Sequence, residues 1–274
     1  MVNGIYTAPI YKLKKLSNLF IEMTGKNCNN RCPSCFINFP ACKNVKDFIS
    51  IEAVKQALCD TRQEDLQCIY LSGAEPMTHP DFNAILRLCL KRCCVCICTN
   101  SSFLNEKKIR FLKKVEDEGE NQIIFKFTLA HFDEIKSDEA RYRGNYRQVM
   151  SAIKIAARYN FNVILTIQNY YDLPENEIET EFKRIFAEHN LSDVELQIIP
   201  SYPTKNECCI NAEKTDCTCG RTLTSSGIYS CPFLANDYRG RLGYSFADFS
   251  KSVSAETDFC TLCSLKNGCI FSIE

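Results

Sequence analysis

Between residues 17 and 200, short apolar segments alternate with amphipathic ones, and few folds accommodate that order. The apolar segments fall at 19–23, 67–71, 95–99, 123–129, 163–168 and 194–199, a length suited to strands. Helix-like segments lie between them at 51–61, 80–92, 106–116, 146–159 and 175–189. In the fourth, Val149, Ile153 and Ala156 recur at helical spacing while Arg147 and Lys154 fall elsewhere. The fifth opens after Pro174 with acidic residues, as a helix N-terminus prefers. Six strands separated by helices predict a parallel α/β sheet with right-handed crossovers. Eight such units close a full barrel. Six predict an open, partial (β/α)6 TIM-like barrel.

After residue 200 the alternation stops. Residues 201–274 hold eight cysteines, several Gly, Ser and Asn turns, and little periodicity. So short and irregular a segment has a thin core, and a metal site would supply the missing stability. The chain therefore divides into a core domain at 1–200 and a small Cys-rich β-hairpin/helix domain at 201–274. The whole chain has 19 cysteines against 3 histidines, an odd number without a secretion-type opening. That composition disfavours a disulfide scaffold and favours thiolate ligands, iron–sulfur clusters above all. Lys+Arg and Asp+Glu both total 33, so no basic excess points to nucleic acid. No segment approaches the roughly 18 uncharged apolar residues of a membrane span. The expected location is the cytoplasm.

The stretch TGKNCNNRCPSCF places Cys28, Cys32 and Cys35 just beyond the first strand, at the edge where parallel α/β folds build active sites. Three thiolates so spaced can hold one [4Fe–4S] cubane and leave an iron open. A zinc-binding turn or three buried thiols is the structural alternative.

This Cys-x3-Cys-x2-Cys string resembles the signature of the radical S-adenosylmethionine (SAM) superfamily. LSGAEP, ending the second strand, is similar to the family's Gly-Gly-Glu-Pro motif, and ICTNSS to its Thr-Asn-Gly segment. FKFTLAHF and RYRGNY stand where relatives carry a Ser-x-Asp-Gly and a following Arg-Gly. The resemblance implies that SAM chelates the open iron and is reductively cleaved to a 5′-deoxyadenosyl radical, which abstracts a substrate hydrogen. It places Gly73, Ala74 and Glu75 at the SAM amino group, and Arg141 or Arg143 at its carboxylate. It implies Asn100 and Thr128 as further SAM contacts. Among the departures from the family pattern, Ser34 replaces an aromatic residue, with Phe36 beyond the cysteine, and the fourth strand lacks the Asp and Gly. The resemblance further implies a flavodoxin- or ferredoxin-type reductant and a small-molecule or peptide substrate. The product radical would then be oxidised, epimerised or cross-linked.

A second constellation follows. Cys219 and Cys231 flank a stretch around Ser225, Ser226 and Gly227 that reads as a β-hairpin, and Cys260, Cys263 and Cys269 come later. Taken alone, this describes a zinc ribbon equally well. Beside the first motif it resembles the SPASM and shorter twitch modules. That implies one auxiliary [4Fe–4S] cluster on Cys219, Cys231, Cys260 and Cys263, with Cys217 and Cys269 as alternates. Sulfatase-activating relatives carry an Asp directly after the second hairpin cysteine, where this chain has Pro232. Cys93, Cys94, Cys96 and Cys98 read as core filling, as do Cys42, Cys59, Cys68 and Cys89; Cys208 and Cys209 remain open. His79 reads as a residue shaping its loop and His131 as a structural histidine. Two other classes compete with the enzyme: a non-catalytic iron–sulfur electron carrier and a zinc-binding interaction protein. Anaerobic reconstitution is expected to give about eight iron and eight sulfide per chain, and Cys28, Cys32 and Cys35 replaced by Ala about half of each. A wild-type value near four would remove the auxiliary cluster.

Overall fold

The computed structural model describes residues 8–33, 35, 47–200, 217–255, 258–266 and 269–272. Ser34, Phe36, Cys42, Cys208 and Cys209 lie outside them. A short strand β1 (Ile10–Lys12) precedes β2 (Asn18–Thr24), and α1 (Ile51–Asp60) leads to β3 (Cys68–Gly73). Then come α2 (Phe82–Leu90), β4 (Cys94–Cys98), α3 (Glu106–Asp117) and β5 (Ile123–Leu129). A pair of helices, α4 (Glu134–Ala140) and α5 (Asn145–Arg158), leads to β6 (Asn162–Asn169), α6 (Glu175–Glu188) and β7 (Glu195–Pro200). Strands β2 to β7 pair in parallel in chain order. This is the open α/β barrel that the alternation predicts, with α4 added.

Local chemistry sets the helix starts. Ser50 caps α1 by accepting from the Ala53 N–H at 3.2 Å, and Asn105 caps α3 from Lys108 at 2.9 Å. Asp133 does the same for α4 from Lys136 at 3.0 Å. Each satisfies a donor that the first helical turn leaves open.

The C-terminal segment continues the same sheet. The hairpin of β8 (Gly220–Thr224) and β9 (Gly227–Tyr229) turns between Thr224 and Gly227, and β8 runs parallel to β2 on the side away from β3. Strands β10 (Arg241–Ser245) and β11 (Asp248–Phe249) extend that edge, giving a sheet of ten strands among the described residues. β12 (Ser252–Ser254) pairs separately with β1, and α7 (Asp258–Leu265) follows. No helix of the described residues is long and apolar enough to cross a membrane.

Strand alternation separates two faces. Leu19, Ile21, Ile69, Leu71, Val95, Ile97, Phe125, Phe127 and Leu165 pack outward against the helices as the main core. The concave face holds a smaller cluster of Phe20, Cys68, Tyr70, Cys96, Ile124 and Ile164. Cys68, Cys89, Cys93 and Cys96 are buried, whereas Cys59 is exposed on α1, so its assignment to the core is corrected. Its helix presents Val54 and Ala57 to the core, and Cys59 falls on the opposite side.

One glycine fixes how β3 ends. Gly73 has φ +106°, and a Cβ there would collide with the Thr24 carbonyl oxygen. Gly73→Ala is expected to cost about 1–3 kcal/mol, read as a lower urea midpoint with an unchanged slope.

Candidate functional site

The cysteine loop leaves β2 and is tied to the end of β3 by backbone bonds. The Ala74 N–H donates to the Thr24 carbonyl at 2.8 Å and the Glu75 N–H to that of Asn27 at 3.1 Å. Within the loop, Thr24 Oγ1 accepts from the Asn27 N–H at 3.0 Å. Cys28 Sγ then accepts from the Asn30 N–H at 3.4 Å and from Asn100 Nδ2 at 3.5 Å. Asn100 belongs to the loop after β4. That loop is held from α5, where Gln148 Nε2 donates to the Asn100 carbonyl at 2.8 Å and to Ser102 Oγ at 3.0 Å. Ser101 takes φ +69°, the left-handed conformation that explains a Gly at the equivalent place in the family motif.

Burial pushes the Cys28 and Cys32 thiols up, and the Arg141 guanidinium pulls Cys32 back down. Cys35 acts electrostatically on both, so the three thiols are near neighbours. N–H donors and a cation beside raised thiols suit a set that deprotonates when metal binds. The donor chemistry suits a thiolate-held cluster, although among the described residues no three such side chains stand close enough together to hold a metal ion as they are placed.

Glu75 is wholly buried beneath this site. Its carboxylate accepts from Thr99 Oγ1 at 2.8 Å, the Asn100 N–H at 2.8 Å and the Met77 N–H at 3.1 Å. Burial pushes it up to about 7 against the pull of those donors. Its side chain thus braces the ends of β3 and β4 and is absent from the cavity wall.

That cavity, of about 170 Å³, opens over the C-terminal ends of the strands. Cys35, Gly73, Ala74, Asn100, Thr128 and Arg141 share its wall. Arg143 is exposed and is not part of it. Arg141 Nε is buried with no hydrogen-bond partner, an orphan donor in a site expected to take a carboxylate. His79 and His131 serve their own loops: the Asp81 N–H donates to His79 Nδ1 at 2.9 Å, and the Asp133 N–H to His131 Nδ1 at 2.7 Å.

Sequence reasoning passed over the other side of the cavity, lined by Phe20, Glu22, Cys98, Lys126, Thr166 and Phe271 among others. Glu22 and Lys126 were visible as lone charges inside apolar strands, a signal that they face something other than core. Asn236 Nδ2 donates to Glu22 Oε1 at 2.6 Å, and burial pushes that carboxyl up to about 6. Lys126 Nζ donates to the Phe271 carbonyl at 3.0 Å.

A second, smaller cavity of about 40 Å³ adjoins the first and shares Phe20 and Phe271 with it. Its lining includes six cysteines: Cys217, Cys219, Cys231, Cys260, Cys263 and Cys269. Burial pushes Cys231 up to about 12, and it raises Cys217, Cys263 and Cys269 as well. The thiols of Cys217, Cys231, Cys260, Cys263 and Cys269 also act on one another electrostatically. Both cysteines held as alternates reach this cavity alongside the four expected ligands.

The sequence profile of the Radical SAM superfamily matches residues 23–185. No curated protein matches the chain. Among solved structures, native anSMEcpe with bound AdoMet superposes at a TM-score of 0.65 and 14% identity, over 85% of this chain and 78% of that one. Streptococcus suis SuiB bound to precursor peptide SuiA gives 0.64 and 12%, over 92% of this chain and 65% of SuiB. At such identities the likeness is one of fold.

Arg141→Ala is expected to weaken SAM binding by about 1–3 kcal/mol, as for loss of a charged hydrogen-bond partner. Arg143→Ala should leave it unchanged, both measured by equilibrium binding with iron content held equal. The reverse order would move the carboxylate contact to Arg143.

Proposed function

Because the chain belongs to the radical SAM superfamily, we propose that it oxidises a small polar molecule or a peptide side chain, with an auxiliary [4Fe–4S] cluster in the six-cysteine cavity. With a [4Fe–4S] cluster and SAM bound, the family chemistry is reductive SAM cleavage to a 5′-deoxyadenosyl radical that abstracts a substrate hydrogen. Cys28, Cys32 and Cys35 would hold the first cluster. Arg141 would meet the SAM carboxylate through its orphan Nε, and the backbone at Gly73 and Ala74 would meet the amino group. Thr128 and Asn100 offer a hydroxyl and an amide from the same wall. A flavodoxin- or ferredoxin-type protein is the reductant in this reading.

The observation that carries the proposal is the shared wall. Phe20 and Phe271 touch both cavities, with ring centroids 6.0 Å apart. A substrate in the first cavity is thus separated from the thiols of the second by two aromatic side chains. The described residues from 217 onward, twitch-like in their cysteine pattern, carry those thiols beside the barrel strands. Cys219, Cys231, Cys260 and Cys263 remain the proposed ligands, with Cys217 and Cys269 in reach.

Oxidation also needs a destination for a proton. In such an oxidation two hydrogens would leave the substrate, one as an atom and one as a proton, and a cluster bound by the C-terminal cysteines would supply the acceptor for the remaining electron. Glu22 is the carboxylate in the cavity wall, and Asn236 holds one of its oxygens. A carboxylate with a raised pKa is suited to accept that proton near neutral pH. The preferred substrate accordingly carries an O–H or N–H beside the carbon that loses hydrogen.

The C-terminal site should be needed for product but not for SAM cleavage. Cys260→Ala with Cys263→Ala is expected to retain dithionite-driven 5′-deoxyadenosine formation with about half the iron. With any sugar, alcohol or short peptide that stimulates the wild type, its product should fall by orders of magnitude. Circular dichroism would establish that the variant is folded. Full product from the folded double variant would make the second site structural.

A further inference from the structure

The largest wholly buried side chain in the described residues is a cation. Arg221, on β8, is 0% exposed. Its Nη1 donates to the carbonyls of Cys217 at 2.8 Å and Gly220 at 2.6 Å, and its Nη2 to that of Lys251 at 2.9 Å. Among the described residues it forms no ion pair with a carboxylate, and its Nε has no hydrogen-bond partner. Arginine keeps its proton in proteins, so this is a fixed positive charge away from water. Burying such a charge is costly unless an opposite charge compensates it. Backbone carbonyls satisfy the donors but bring no net charge.

The opposite charge is supplied by the neighbouring cysteines. Arg221 Nη1 is bonded to the backbone of Cys217 and of Gly220, the residue after Cys219, so the guanidinium is held beside the first two cysteines of the cavity. As thiols they are neutral. As ligands of an iron–sulfur cluster they are thiolates, and the cluster with its ligands is net negative. One-electron reduction adds a further negative charge. A fixed cation in a low-dielectric surround favours the more negative form, and net charge is among the terms that set cluster potentials. Arg221 does not line the cavity, so it acts through the field and leaves the ligand positions to cysteine.

We infer that Arg221 is the buried counter-charge of the C-terminal cluster and makes that cluster easier to reduce, fitting it to receive an electron. The inference rests on the reading of the six-cysteine cavity as an iron–sulfur site. The electron comes from the substrate radical in turnover and from dithionite in the test; no bond at Arg221 forms or breaks.

The test is a mediated dithionite titration followed by electron paramagnetic resonance on the full chain. It would be repeated with Cys28, Cys32 and Cys35 replaced by Ala, so that only the C-terminal signal remains. Arg221→Lys keeps the charge with altered hydrogen bonds; Arg221→Gln keeps donors without the charge; Arg221→Met keeps neither. The potential should stay near wild type in the Lys protein and shift negative in the Gln and Met proteins at equal iron content. A residue that merely straps the Cys217 and Lys251 backbones to β8 would lower thermal stability and leave the potential in place. Equal potentials in iron-replete Arg, Lys and Gln proteins would therefore overturn the inference. Should Met fail to fold, the Lys–Gln comparison decides alone. Neutral variants that fold but stay empty while Lys fills would support the counter-charge at the assembly step. Folded variants that all lose iron, Lys included, would overturn it. A wild-type chain without C-terminal iron would instead remove the iron–sulfur reading itself, before any Arg221 variant is compared.

Discussion

Strand β2 is hydrogen-bonded on both sides, to β3 and to β8, and every one of its residues is buried. The arrangement of both cavities depends on that double pairing. Leu19, Ile21 and Met23 anchor the strand in the main core, while Phe20 and Glu22 point into the concave side. The cysteine loop starts where the strand ends. At the opposite end, Asn18 Nδ2 reaches Cys219 Sγ at 3.9 Å. A one-residue slip would exchange the two faces, sending Glu22 into the helix layer and Ile21 into the cavity. The parallel register with β3 is thus a condition for the first site, and that with β8 a condition for the second.

Charge placement follows from that frame. Glu22, Lys126 and Arg221 are buried and Arg141 is half-buried, all in or near the two cavities. Each buried charge is costly in isolation, so each needs a neighbour the fold supplies or a ligand brings. Asn236 serves Glu22 and the Phe271 carbonyl serves Lys126. Arg141 retains an orphan donor. Glu75 differs: with three donors on its carboxylate it is spent on structure, joining the ends of β3 and β4 beneath the cysteine loop.

The cysteines sort by environment rather than by number. Cys89 and Cys93 fill space between sheet and helices, and Cys68 and Cys96 fill the concave floor, as small apolar side chains do. Cys59 faces solvent. The remaining cysteines form two groups, three on the loop after β2 and six lining the adjoining cavity, where Cys219 lies beside the start of that strand. Both groups combine backbone N–H donors, nearby cations and mutual electrostatic influence, conditions that favour thiolate ligands.

Local pattern was enough for much of this. Alternating apolar and amphipathic segments specified parallel strands and crossover helices, because hydrophobic periodicity is a property of contiguous residues. The motifs at Cys28–Cys35, Gly73–Pro76 and Thr99–Ser101 could be read for the same reason, as could the hairpin at 220–229. Tertiary structure alone decided the remainder. The parallel seat of β8 beside β2 joins residues about 200 apart, and nothing local encodes such a partner. The same holds for the choice of Arg141 over Arg143 in the wall, for the two alternate cysteines lining one cavity with the four expected ligands, and for Glu22 and Lys126 facing a cavity. A side chain's face depends on which strand lies next to its own, and burial, with the electrostatics it creates, exists only once the sheet has assembled.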